Sequence, residues 1–183
     1  MSDQSYQNDA IRRAKKLKAL LLDVDGVMTD GSITFDFQGR ELKQFNAQDG
    51  LGIYFARKAG LIIGIITGRE SEVNKIRAEE LEIDFLDQGH KNKLKPYAEF
   101  KKLFNMSDYE IGFVGDDLLD LPVMLQCGFA AGVQNGRSEI KEHSHFVTRF
   151  SGGEGAVREV IEFILKHQNK WQDIVNRYNG KTS

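Results

Sequence analysis

The segment Leu20-Leu21-Leu22-Asp23-Val24-Asp25-Gly26-Val27 constrains this chain more than any other. Its apolar run, residues 19–22, has the continuity of a strand buried on both faces of a parallel sheet. The run ends in two carboxylates separated by one residue and followed by glycine. Acids at the mouth of a buried strand repel each other and resist desolvation, and a cation between them would offset both costs. In open α/β sheets, ligands bind beyond the carboxyl ends of the strands, where Asp23 and Asp25 would stand. Taken alone, the pair is also compatible with a simple turn cap.

Further apolar runs recur along the chain. Residues 61–66, 83–86, 111–114, 129–132 and 146–148 read as additional strands. Asp49 is expected to cap a helix running to Lys58 and closed by Gly60, and Ser71 to cap one that turns Val73, Ile76 and Leu81 inward. Pro96 suits the first turn of a helix ending near Phe104. Residues 156–167 form an amphipathic helix in which Arg158 reads as a surface residue. A polar, then basic leader at residues 4–16 shows a weak helical period, and residues 169–183 read as a flexible polar tail. Alternating strands and helices predict one α/β domain over residues 1–183, with a doubly wound, mostly parallel sheet.

One segment breaks this alternation. In residues 31–46, Ile33, Phe35 and Phe37 alternate with Ser32, Thr34 and Asp36, then Gln38-Gly39-Arg40 turns the chain back. This is a β-hairpin inserted after the first strand. A lone hairpin is marginal in water and leaves bare edges, so its apolar row is expected to be covered by another subunit.

The composition is that of an ordinary globular domain: 183 residues, 40% hydrophobic and 28% charged. A net charge of -2 gives no reason to expect nucleic acid or an anionic membrane as partner. Cys127 is the sole cysteine, which excludes an intrachain disulfide and suits a reducing compartment. Met1 to Asp9 carry no apolar signal region, and no run is long enough to span a bilayer, so a cytoplasmic location is expected.

Three strands end in polar residues: Asp23 and Asp25, Thr67, and Asp116 with Asp117. An all-oxygen carboxylate set suits Mg²⁺, which keeps several waters and commonly bridges to substrate phosphate. The histidines at 90, 143, 145 and 167 give no zinc pattern, and His143 and His145 read as surface residues. Thr67 and Lys93 are natural partners for phosphoryl oxygens. The chemistry that fits is phosphoryl transfer, in which Asp23 attacks phosphorus and Asp25 serves as acid, then base.

Asp23-Val-Asp25-Gly, Thr67-Gly-Arg69, Lys93 and Gly115-Asp116-Asp117 match, in order, the four motifs of the haloacid dehalogenase (HAD) superfamily of phosphohydrolases. Asp23-Val-Asp-Gly-Val-Met-Thr-Asp-Gly, Phe45-Asn46-Ala-Gln-Asp49-Gly50 and Gly152-Gly-Glu-Gly-Ala-Val-Arg158-Glu further resemble the 3-deoxy-D-manno-octulosonate 8-phosphate (KDO 8-phosphate) phosphatase family. The likeness spans residues 18–165. It implies a capless, Mg²⁺-dependent enzyme acting on a small sugar-acid phosphate in the supply of KDO for lipopolysaccharide. It also implies a homotetramer in which hairpins meet at the centre and a neighbouring subunit covers each site. By this resemblance Asp23 and Asp116 hold the metal by side chain and Asp25 by its backbone carbonyl. Asp25, Asn46, Ala47, Gln48, Asp49, Gly50, Arg69, Arg77 and Lys93 line the substrate site. Asp117 and Asp120 are expected to orient Lys93 or metal-bound waters.

Two departures stand out: many members carry a basic residue at the positions of Gln48 and Glu154. Both changes remove positive charge, and a glutamate at the second also occurs in phosphatases for nonulosonate (sialic-type) 9-phosphates. That substrate is the nearest alternative. A receiver-like domain that stores an aspartyl phosphate is the alternative from another class; Asp25 and the hairpin speak against it.

Overall fold

The computed structural model describes residues 3–180. The ends of the two terminal segments, residues 1–2 and 181–183, lie outside the described residues. The chain opens with α1 (Asp3–Ala14) and enters β1 (Ala19–Leu22), then runs out into a hairpin of β2 (Thr34–Phe35) and β3 (Glu41–Leu42). It returns through α2 (Ala47–Lys58), β4 (Ile62–Thr67), α3 (Glu72–Glu80), β5 (Phe85–Gln88) and α4 (Leu94–Phe104). The second half comprises β6 (Ile111–Gly115), α5 (Leu121–Gln126), β7 (Phe129–Gly132), α6 (Ser138–Glu142), β8 (Phe146–Val147), α7 (Ala156–His167) and α8 (Trp171–Tyr178).

Six strands form one sheet in the order β5-β4-β1-β6-β7-β8, and every neighbouring pair is parallel. The doubly wound expectation holds. β1 lies inside the sheet, and the chain leaves it first toward β4, later toward β6, so the topological switch falls at β1 and β6. Pleating divides the core. Leu20, Leu22 and Val114 face α2 and α7, whereas Leu21 and Phe113 face Tyr97 and Phe100 of α4 and Met124 of α5.

Several local expectations are corrected. Asn46 caps α2, its side chain accepting the Gln48 N–H at 2.8 Å; Asp49 lies inside the first turn. Ser71 precedes α3 without making a side-chain cap, and the inward face of that helix is Asn74 and Ala78, leaving Ile76 exposed. β5 begins two residues later than expected. Beyond residue 169 the chain winds into α8, whose Trp171 and Ile174 pack on the core. Arg158 is not a solvated surface residue: its guanidinium lies 5.1 Å from the ring centroids of both Phe55 and Trp171. His143 is exposed as expected, but His145 is half-buried, and its Nδ1 accepts the Ala130 N–H at 2.9 Å.

Candidate active site

β1 and β6 run in register, and the Asp23 N–H extends their ladder by donating to the Val114 carbonyl at 3.1 Å. Asp23 and Asp116 thus leave adjacent strand ends, and Asp116 follows Gly115 directly. The loop after Asp23 is tightly wound: the Val24 carbonyl accepts from Val27, Met28 and Thr29, while Thr29 Oγ1 accepts from Gly26 at 3.3 Å and Gly31 at 3.2 Å. Gly26 has φ +94, and a Cβ there would stand 2.1 Å from Asp116 Oδ2, so both backbone and neighbour demand glycine. Gly152 closes the loop from behind. A Cβ on it would fall 1.8 Å from the Gly26 carbonyl oxygen, and the next N–H, on Gly153, donates to Val27 at 3.1 Å.

Asp23, Asp116 and Asp120 each bring a carboxylate oxygen within 4.8 Å of the others. Lys93, 1% exposed, sits between two of them, with Nζ 2.8 Å from Asp23 Oδ1 and 2.5 Å from Asp120 Oδ1. The first contact is an ion pair outside hydrogen-bonding angles, so Asp23 Oδ1 receives no aligned donor. Burial, then the charge of Asp120, holds the Asp23 carboxyl above the usual carboxylate range, against the pull of Lys93. Burial, then Asp23 and Asp120, raises that of Asp116. Burial disfavours the Lys93 ammonium, yet Asp23 and Asp120 outweigh it and raise its pKa. Two buried acids that resist ionisation together, one of them facing only the Lys93 ammonium, form a donor set that fits a hard divalent cation.

The expectations for Asp120 and Asp117 separate. Asp120 binds Lys93, and its other oxygen accepts the N–H groups of Asp116 at 2.9 Å and Asp117 at 3.3 Å, holding the loop that carries Asp116. The exposed Asp117 carboxylate instead accepts the N–H of Leu118 at 2.7 Å. Thr67, the last residue of β4, is 1% exposed. Asp23, Asp25, Thr67, Arg69, Lys93 and Asp116 all line one cleft of about 330 Å³, together with Lys91.

Two residues of this neighbourhood carried no recognised sequence signal. Lys43 reaches Asp25 Oδ1 at 2.5 Å, and Glu41 accepts from Arg69 Nη2 at 2.8 Å. Their alternation along a short strand was the available clue.

Asn46, Ala47, Gln48, Asp49, Gly50 and Arg77 gather elsewhere, around the start of α2. Asn46 Nδ2 donates to the Gly153 carbonyl at 3.2 Å, while Ala47 and Gln48 are exposed. Asp49 is buried and accepts the Arg158 N–H at 2.7 Å, so it caps α7 from another helix; burial pushes its carboxyl up to about 6. Arg77 lies over the Phe45 ring at 5.3 Å and donates to Glu80 at 2.7 Å. Gln48 reaches toward the segment that follows Glu154: a Cβ on Gly155 would lie 3.8 Å from Gln48 Oε1.

No family model matches the chain. Among characterised proteins it is 42% identical over 163 residues to the KDO 8-phosphate phosphatase KdsC of Yersinia pestis, covering 89% of this chain and 87% of that one. It is 39% identical over 162 residues to KdsC of Escherichia coli K12, covering 88% and 86%. Among solved structures, the KDO 8-phosphate phosphatase of Moraxella catarrhalis, in complex with magnesium ion, phosphate ion and KDO, superposes with a TM-score of 0.92 at 38% identity, covering 93% of this chain and 98% of that one. The Y. pestis phosphatase superposes with a TM-score of 0.89 at 41% identity, covering 90% and 89%.

Proposed function

The chain belongs to the KDO 8-phosphate phosphatase family of HAD hydrolases, and on that premise we propose that it hydrolyses KDO 8-phosphate to KDO and phosphate with Mg²⁺ as cofactor. The observation that carries the reading is the meeting of Asp23, Asp116, Thr67 and Lys93 at one sheet edge, with carboxylate oxygens no more than 4.8 Å apart. Asp23 and Asp116 side chains and the Asp25 backbone carbonyl would hold the ion. When bound, it neutralises charge between an anionic nucleophile and an anionic phosphate.

The Asp23 carboxylate attacks phosphorus and becomes an aspartyl phosphate while the sugar alkoxide departs with a proton from Asp25. Asp25 then takes a proton from water as its oxygen attacks phosphorus, and Asp23 is released. Thr67 and Lys93 hold the phosphoryl oxygens, so catalysis is largely placement and charge neutralisation. Because water discharges the intermediate, no stored aspartyl phosphate of the receiver kind accumulates.

The protein also assembles as a homotetramer and works in the cytoplasm, in KDO supply for lipopolysaccharide. The assembly is supported by Ile33, Phe35, Phe37 and Leu42, which stand 54%, 56%, 93% and 52% exposed on the hairpin. No helix among the described residues is long and apolar enough to cross a membrane. Asn46 to Gly50 and Arg77 then serve the substrate's sugar-acid end where subunits meet, Arg77 by gripping its carboxylate.

The test is phosphate release from KDO 8-phosphate, a nonulosonate 9-phosphate and simple sugar phosphates, with Mg²⁺ and with EDTA. The highest kcat/KM is expected for KDO 8-phosphate, with loss in EDTA. Preference for the nine-carbon ester would transfer the assignment to the alternative that Glu154 points to. Failure to release phosphate from any ester would end the phosphatase reading.

A further inference from the structure

Five carboxylates and three cations line the cleft: Asp23, Asp25, Asp116, Asp117 and Asp120 against Arg69, Lys91 and Lys93. A phosphate ester brings more negative charge to an edge already crowded with it. How strongly the cleft draws the ester in therefore depends on which cations are still free to act. Two of the three are committed. Lys93 lies 2.8 Å from Asp23 and 2.5 Å from Asp120. Arg69 donates to Glu41 at 2.8 Å and stands 3.8 Å from Asp25. Lys91 is the exception: it is exposed, and its ammonium has no ion-pair or hydrogen-bond partner among the described residues.

The backbone that carries Lys91 is anchored on both sides. Before it, the Gly89 N–H donates to the Thr67 carbonyl at 3.1 Å, and the φ of +82 at Gly89 turns the chain at the end of β5. The carbonyl of His90 packs against the next residue of the β4 end, 4.0 Å from where a Cβ on Gly68 would stand. After it, Asn92 Oδ1 accepts the Leu94 N–H at 3.2 Å and fixes the entry to α4. The loop is thus tied at one end to Thr67 and ends at the other on Lys93, the two residues assigned to the phosphoryl oxygens. An unspent charge sits on a fixed support beside the phosphate end of the cleft.

We propose that Lys91 captures the phosphate end of the substrate at the cleft mouth, setting the affinity for phosphate without taking part in the bond changes. This deepens the phosphatase reading above and rests on it. An exposed charge acts across water, so its effect is modest and is screened by salt. A contact made equally to the bound ester and to the transition state alters KM and leaves kcat alone.

The test compares Lys91→Gln, Lys91→Glu and Lys91→Arg with wild type in Mg²⁺. Two quantities are measured: the kinetics on KDO 8-phosphate over a range of salt, and the Kd of inorganic phosphate by calorimetry. Lys91→Gln should lower kcat/KM about five-fold with kcat within roughly two-fold, and weaken phosphate binding by the same factor. It should also flatten the decline of kcat/KM with salt. Lys91→Glu should lower both quantities further, on the order of 20-fold, and Lys91→Arg should stay close to wild type. A fall in kcat/KM with phosphate affinity unchanged would place Lys91 at the sugar end and overturn the proposal. So would a loss shared equally by Lys91→Arg, or no change in Lys91→Gln at low salt. Calorimetry needs no turnover: a wild-type protein that binds phosphate through Lys91 yet releases none from any ester would sink the phosphatase reading and leave the Lys91 contact standing.

Discussion

Lys93 and Lys43 are both withdrawn from water and both lie between two carboxylates, but their supports differ. Lys93 stands at the start of α4, against the end of a six-stranded sheet, and its partners Asp23 and Asp120 are 10% and 1% exposed. Lys43 stands on a hairpin whose ladder consists of two residue pairs, and its partners Asp25 and Glu41 are 20% and 15% exposed. The core dictates where Lys93 sits. On the hairpin, the ion pairs themselves fasten the strand to the body, since so short a ladder has little stability of its own. Fixed chemistry therefore sits on the sheet edge, and the adjustable part of the site sits on the arm.

The largest test of this contrast is Asp23→Asn. It should reduce phosphate release by ~10³-fold or more while leaving the circular dichroism spectrum unchanged. Activity within about ten-fold of wild type would remove the sheet edge from the chemistry. Next comes Lys93→Met against Lys43→Met in thermal unfolding. The first leaves two buried carboxylates facing each other and should cost about 3–5 kcal/mol, or roughly 10 °C in Tm. The second leaves carboxylates that reach water and should cost less than about 2 kcal/mol. Equal losses would erase the distinction between rigid and fastened supports.

Excess Mg²⁺ should raise Tm by the equivalent of ~3 kcal/mol at a hundred times its Kd, and EDTA should reverse it. Asp116→Asn should abolish that shift, whereas Lys43→Met should retain it. A shift that survives Asp116→Asn would locate the ion elsewhere.

Asp49 gives a pH-dependent test on the sheet side. Burial holds its carboxyl up at about 6, above the roughly 3.9 of an unfolded chain. The folded protein therefore binds this proton more tightly. The associated stability is complete below about pH 4 and lost as pH rises through 6. Asp49→Asn should gain on wild type by ~2–3 kcal/mol between pH 4 and 7, and a constant gap in urea titrations would refute the burial argument. The smallest effect on the subunit itself is expected from Phe35→Asp. It should change monomer stability by less than about 0.5 kcal/mol yet dissociate the assembly in light scattering. An intact tetramer would show that the exposed hairpin row has no role between subunits.

Legibility in the sequence follows the same division. β1, β4 and β6 were readable as continuous apolar runs, and Asp23, Thr67 and Asp116 because each directly ends or follows such a run. Lys93 was readable through its motif. Glu41 and Lys43 were not, because charges at alternate positions of a short strand usually mark its solvent side. Only the folded chain shows that side turned toward Asp25. Asp49 resembled an N-cap, and it is one, but for α7, at a sequence distance no local pattern reports. Hydrophobicity alone turns Ile76 inward, yet the buried positions of α3 are Asn74 and Ala78, four residues apart on the opposite face. The residues 169–180 looked like a tail because their few apolar side chains acquire meaning only against Phe55 and Arg158.

The contact between Gly152 and the Gly26 carbonyl also sets an order of events during synthesis. The loop bearing Asp23 and Asp25 emerges from the ribosome early, but its rear support lies more than a hundred residues downstream. A nascent chain that stops short of the Gly152-Gly153 pair can lay down its first strands without locking the acids in place. The rear support of the acidic loop is therefore the last of these elements to be synthesised, after the strands that carry Asp23, Thr67 and Asp116.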